Sequence, residues 1–257
     1  MANARQTWLL ERGALAVGPL ALLVAWTWAT RRPTRPGGQV LASPEQIFGT
    51  VRELLANGQL LHHLSKSPVR LALGFGFGAG AGLVFGLLMG LSRTAEEVCG
   101  PLFHAIRQVP SIAFIPMLIL VFGIEETFKI VVVAKASFFP VALAATDGVK
   151  SIPRGFLEVG RVYGLRGPAL VRCILLPAML PALVTGIRIA LGRSWTVLVA
   201  AEIIASESGL GQMMEMGRQT MRQDVVLLGV FLTGTFGFLL DRSMRLLERR
   251  LAAWRTA

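Results

Sequence analysis

The sequence predicts an all-α membrane protein that crosses the bilayer as a bundle of six helices. Composition gives the first indication. Of 257 residues, 53% are hydrophobic and 16% are charged, whereas a soluble domain carries about a quarter charged residues. The arrangement gives the second. The apolar residues fall into uncharged blocks at 14–30, 71–92, 108–124 and 225–240. Each approaches the roughly 17–25 residues that a helix needs to cross the hydrocarbon core. Two more apolar stretches, 130–146 and 177–201, are interrupted only by Lys135 and by Arg188 and Arg193. The third indication is the charge. The net +11 lies mostly between the apolar blocks, which marks membrane topology and not a nucleic-acid partner.

The first block has a weak basic start (Arg5, Glu11, Arg12), and Trp26 and Trp28 lie near its end. That pattern fits a retained span with an interfacial aromatic belt better than a cleaved signal peptide. Segment 31–70 opens as a Pro/Gly-rich linker. Ser43-Pro44-Glu45 then starts a helix, Ile47, Val51, Leu54 and Leu55 follow at helical spacing, and Asn57-Gly58 ends it. This helix either lies on the outer membrane surface or packs as an ordinary surface helix. In the second span Gly74, Gly78, Gly82, Gly86 and Gly90 recur every four residues, with a second row at Gly76 and Gly80. Such spacing makes a groove for the close approach of another helix. Prolines 110, 116, 140, 177 and 181 predict kinks in the later spans.

With the N-terminus placed inside, loop 147–176 and the tail after residue 241 are both cytoplasmic and rich in arginine. Segment 31–70 is the exception, being outside yet basic. Both termini are therefore expected in the cytoplasm. Cys99 and Cys173 imply neither a disulfide framework nor zinc, and His62, His63 and His104 have no carboxylate at ligand spacing, so no metal site is expected. Lys135, Arg188, Arg193 and Glu202 are the candidate substrate pathway, because intramembrane charge is costly. Three cations against one carboxylate suit an anion. The alternatives are pairing of Arg188 with a neighbouring helix and outward snorkelling of Lys135.

Loop 147–177 is too long for a simple connector. A short helix is expected from Pro153 to Tyr163. Gly164 stops it, and Gly167-Pro168 starts a second helix running to Leu176. Within it, Glu158, Val159 and Gly160, then Gly164, then Ile174, Leu176 and Pro177 fall in the register E-A-A-x3-G-x9-I-x-L-P. The two alanines of that pattern are replaced by Val159 and Gly160.

On these residues the chain resembles permeases of binding-protein-dependent ABC importers of type I. Phe122-Gly123-Ile124-Glu125, Phe138-Phe139-Pro140, Ala201-Glu202 with Ser208-Gly209-Leu210-Gly211, and Leu246 to Arg250 resemble the nitrate, taurine and aliphatic sulfonate subfamily. The resemblance implies a permease domain over 65–250. It is preceded at 1–64 by a first span, linker and amphipathic helix, and followed by a tail at 251–257. It also implies that loop 147–177 docks on a separate ATPase through a coupling helix carrying Glu158 and Gly164. The implied partners are two ATPase copies, a second permease copy as a homodimer, a solute-binding protein and membrane lipid, in a bacterial inner membrane. The chain has no G-x-x-x-x-G-K-[ST] loop. It is therefore expected to be no enzyme and to carry no cofactor, with ATP bound by the partner. A sulfonate-, taurine- or nitrate-like solute is implied. Another small solute, such as a thiamine-precursor pyrimidine, and a secondary transporter or a membrane scaffold remain the alternatives.

Overall fold

A computed structural model describes residues 17–18, 20–30 and 41–252. The expectations for residues 1–16, the 31–40 linker and 253–257 lie outside the described residues. Among the described residues every regular element is helical. Helix α1 covers Leu20–Thr30, and the Thr30 hydroxyl donates to the Trp26 carbonyl. Trp26 in turn stacks on Phe231 with ring centroids 5.4 Å apart, which seats α1 against the last helix.

Helix α2 (Pro44–Ala56) starts where the sequence places it. Ser43 and Gln46 form a capping box, and Pro44 fills the first turn. Ile47, Thr50 and Leu54 are buried. The Thr50 hydroxyl donates to Asp224 at 2.5 Å, and Arg222 forks onto Glu53 at 2.7 and 2.8 Å. These contacts hold α2 at the start of the last helix, which begins at Gln223.

Among the described residues, four helices are long and apolar enough to cross a membrane. Helix α3 (Gln59–Leu91) begins twelve residues before its apolar block, after Gly58 at φ 74°. Helix α6 is Glu126–Lys150, and α9 is Leu176–Ile204, preceded by a π-turn at Val171–Leu175. Helix α11 is Gln223–Ala252. The expected single span at 108–124 differs. Helix α4 (Arg93–Arg107), a 3-10 turn at Ser111–Phe114 and the short α5 (Ile115–Phe122) stand there instead, and the pair counts as a fifth crossing only as one element bent by 86°. The reason is local. Pro110 precedes the turn and Pro116 sits in the first turn of α5, where neither can continue a helix from α4. Only Pro140 and Pro181 of the expected kink prolines are helix-interior, together with Pro68 and Pro101.

The core is built on α6, which packs on α3 and α9. Gly74, Gly78, Gly82, Gly86 and Gly90 all face α6. A Cβ at Gly74 would stand 2.7 Å from the Ile130 carbonyl, one at Gly82 2.5 Å from the Phe138 carbonyl, and one at Gly90 2.8 Å from Val149 Cβ. At Gly78 and Gly86 it would overlap the Ala134 and Ala142 carbonyls. The two backbones therefore touch, as small-residue stripes allow in membranes. Gly76 and Gly80 face open space. Thr146 fastens the contact by donating to the Gly86 carbonyl at 3.0 Å. Phe85, Phe103, Phe138 and Phe139 form an aromatic cluster that holds α4 on this pair, with Phe103 and Phe139 centroids 5.2 Å apart.

Candidate functional site

The hairpin between α6 and α9 is the first candidate. Helix α7 (Arg154–Val162) starts just after Pro153 and ends before Gly164, whose φ is 68°. Left-handed backbone is cheap only for glycine, so the chain turns there. The Leu165 N–H caps back onto the Gly160 carbonyl at 2.9 Å. Gly167, at φ 54°, leads into the one-turn α8 (Pro168–Leu170). The motif residues are brought together by packing. A Cβ at Gly160 would stand 2.7 Å from Ile174 Cδ1 and 2.9 Å from Leu170 Cδ1. Gly160 thus lets the return segment close on α7, and Leu176 and Pro177 open α9 immediately behind it. Glu158 and Val159 are exposed, as are Phe156, Val162 and Tyr163, the last two at 85% and 78%. A helix this short cannot be stable alone. Its base is fixed by packing, and its apolar tip is exposed.

The predicted intramembrane charges separate into two environments. Lys135 and Arg193 line one cavity of about 350 Å³, bounded also by Arg107, Val109, Ser111, Phe139 and Thr196. Lys135 Nζ donates to the Val109 carbonyl at 3.2 Å and lies 4.1 Å from the Phe114 ring centroid. Arg188 and Glu202 do not join them. Arg188 pairs with Glu248 at 3.1 Å, and Glu248 also accepts from the Thr185 hydroxyl at 2.7 Å. Glu202 is wholly buried. It accepts from Arg70 Nη1 at 2.8 Å, from the Ser67 hydroxyl at 2.8 Å and from the Gly211 N–H at 3.0 Å. The four expected pathway residues therefore do not share one space: Lys135 and Arg193 line the cavity, and Arg188 and Glu202 lie apart from it. The latter two are satisfied by neighbouring helices, as a charge in a low-dielectric interior requires.

Sequence reasoning missed Arg70 and Arg107. Arg70 reads as the last cation of a basic outer segment, but it is 2% exposed. It donates to Glu126 at 2.5 and 2.6 Å and to the Ser208 carbonyl and hydroxyl at 2.6 and 2.7 Å. This network ties α3 to α6, to α9 and to the loop before α10 (Leu210–Gln219). The signal available was an arginine one residue before an uncharged 22-residue block.

Long apolar helices that meet backbone to backbone define a membrane-embedded helical bundle. Comparison with known proteins specifies it further. Residues 82–253 match the model of the family described as binding-protein-dependent transport system inner membrane component. The chain belongs to that family, and is a transport permease and not an enzyme. It is 38% identical over 250 residues to the putative aliphatic sulfonates transport permease protein SsuC of Escherichia coli strain K12, covering 97% of this chain and 92% of that one. It is 35% identical over 255 residues to the taurine transport system permease protein TauC of the same strain, covering 96% and 92%. Among solved structures, an inward-facing MetNI methionine ABC transporter chain matches with a TM-score of 0.64 at 20% identity, covering 82% of this chain and 99% of that one. That match supports the fold.

Proposed function

We propose that this chain forms one half of the translocation path of an ABC importer for a small oxyanion, with a second copy of the chain forming the other half. The solute reaches it from a binding protein, and two copies of a separate ATPase dock on the α7 hairpin. The observation that carries this reading is the hairpin itself. Gly160 seats Ile174 and Leu170 against its base, while Phe156, Val159, Val162 and Tyr163 stay bare at its tip. A rigid helix presenting unsatisfied apolar surface fits a groove on a soluble partner. Because the hairpin joins α6 directly to α9, a displacement of the partner reaches both core helices.

The arginine excess in 147–176 and in the tail after residue 241 supports placing both on the cytoplasmic side of a bacterial inner membrane. Glu158 and Gly164 have the roles of partner contact and fixed turn. The relatives named for aliphatic sulfonates and taurine support an oxyanion as solute.

The test is co-purification with the ATPase and ATP-driven uptake in proteoliposomes. Val162→Asp with Tyr163→Asp should abolish co-purification while the permease remains inserted. Gly164→Val should leave the complex assembled but reduce uptake at least tenfold. Unchanged co-purification and uptake in these variants would refute the docking role.

A further inference from the structure

The intramembrane cations differ in how they are satisfied. Arg70 meets Glu126 and Glu202, Lys129 meets Glu126 at 3.5 Å, and Arg188 meets Glu248. Lys135 and Arg193 meet no carboxylate among the described residues, and both open onto the same cavity. Lys135 lies nine residues into α6, about 14 Å along the helix from Glu126 at 1.5 Å per residue, which is deep in the span. Unpaired cations at such depth persist when they face water or an anion. The third cation on this cavity, Arg107, comes from the last turn of α4. Three separate elements therefore deliver positive charge to one space.

Ser111 and Thr196 apart, the rest of the wall is apolar. Ile112, Phe139 and Val197 line the same cavity. Lys135 is also positioned and not loose. Its ammonium spends one of three donors on the Val109 carbonyl and rests over the Phe114 ring, with Phe139 at 5.3 Å. Two donors remain for a ligand. Arginine supplies a planar fork that matches two oxygens of a tetrahedral or planar oxyanion. The volume, about 350 Å³, stands near the small end of ligand sites.

We propose that the permease itself carries a solute site in this cavity, where Arg107, Lys135 and Arg193 hold the head of a small amphiphilic oxyanion and Ile112, Phe139 and Val197 receive its short apolar tail. This rests on the transport reading above for its setting and assigns discrimination to the permease as well as to the binding protein. A tail-less anion of the same charge gains only the cationic half. A neutral isostere of the same shape gains only the apolar half.

The test is equilibrium binding of radiolabelled ethanesulfonate to the full chain, assembled with its ATPase in lipid nanodiscs without the binding protein. Lys135→Met and Arg193→Met should each weaken binding at least tenfold, Arg193→Lys should recover part of it, and Arg188→Met, whose charge is spent on Glu248, should bind as the parent does. Ethyl methyl sulfone should not compete, and the tail-less monoanion sulfamate should compete more weakly than propanesulfonate. Parent-level binding in both Met variants would overturn the site, as would a parent chain that binds neither ethanesulfonate nor sulfamate. Sulfamate competing as well as propanesulfonate would overturn its apolar half. Assembly with the ATPase is scored separately and needs no solute. Loss of the docking reading and loss of this site therefore give different results.

Discussion

Arg70 Nη1 and Glu202 Oε1 stand 2.8 Å apart, although 132 residues separate them in the chain. Both side chains are buried. Around them Ser67 and the Gly211 N–H complete the carboxylate, while Glu126 and Ser208 complete the guanidinium. A buried pair is worth keeping only with such completion, because desolvation opposes it.

Removing one partner should therefore cost far more than removing both. Glu202→Ala or Arg70→Ala is expected to destabilise the fold by about 3–5 kcal/mol, since an uncompensated buried charge remains. Arg70→Met with Glu202→Met should cost less than the sum of the single changes. Thermal unfolding of the detergent-solubilised permease measures this, and additive losses would count against a coupled pair.

The glycine row predicts a sharp contrast within one helix. Gly78→Val forces a side chain into the Ala134 backbone and should cost about 1–3 kcal/mol by overpacking. Gly80→Ala, with open space around it, should be neutral or slightly stabilising, because glycine is a poor helix former in general. Proteolysis half-lives of the two variants, compared with the parent, decide the matter.

Hairpin closure depends on Gly160. The atoms that a Cβ would meet are the flexible ends of Ile174 and Leu170, so Gly160→Ala should be tolerated. Gly160→Leu should prise the return segment from α7. Limited proteolysis between residues 155 and 170 should then quicken at least several-fold, and equal cleavage in the Leu variant would contradict the packing.

The α2–α11 contact should be acid-sensitive. The hydrogen bond from Arg222 holds the Glu53 carboxyl below its ordinary 4.5. A carboxylate whose folded value is depressed stabilises the fold above its unfolded value, and that contribution is lost as pH falls from about 4.5 through the folded value. Hydrogen exchange in α2 should accelerate over that window. Arg222→Gln should flatten the acid response, and an unchanged response would show that Glu53 is not its source.

Local chemistry carried much of the fold into the sequence. The Ser43-Pro44 start, the four-residue glycine spacing and the Gly164 and Gly167-Pro168 punctuation act over a few residues and are readable there. The break at 108–124 was less legible, because composition counts apolar residues and Pro110 and Pro116 decide whether they form one helix. The charges were least legible. Lys135, Arg188 and Arg193 look alike along the chain. Glu248, 60 residues along from Arg188, separates that cation from Lys135 and Arg193, which meet no carboxylate among the described residues. Arg70 was misread for the same reason, since its partners all lie far along the chain.

The contact of α3 with α6 has a mechanical consequence. Two helices that meet backbone to backbone have no side-chain cushion to yield between them, so a rigid tilt of one would carry the other. At 1.5 Å per residue the 33 residues of α3 reach about 50 Å, well beyond the roughly 30 Å of hydrocarbon they cross. A tilt of about ten degrees pivoted at one end would carry the other end roughly 9 Å across the membrane. A small stroke at the hairpin side can thus become a wide swing at the far face.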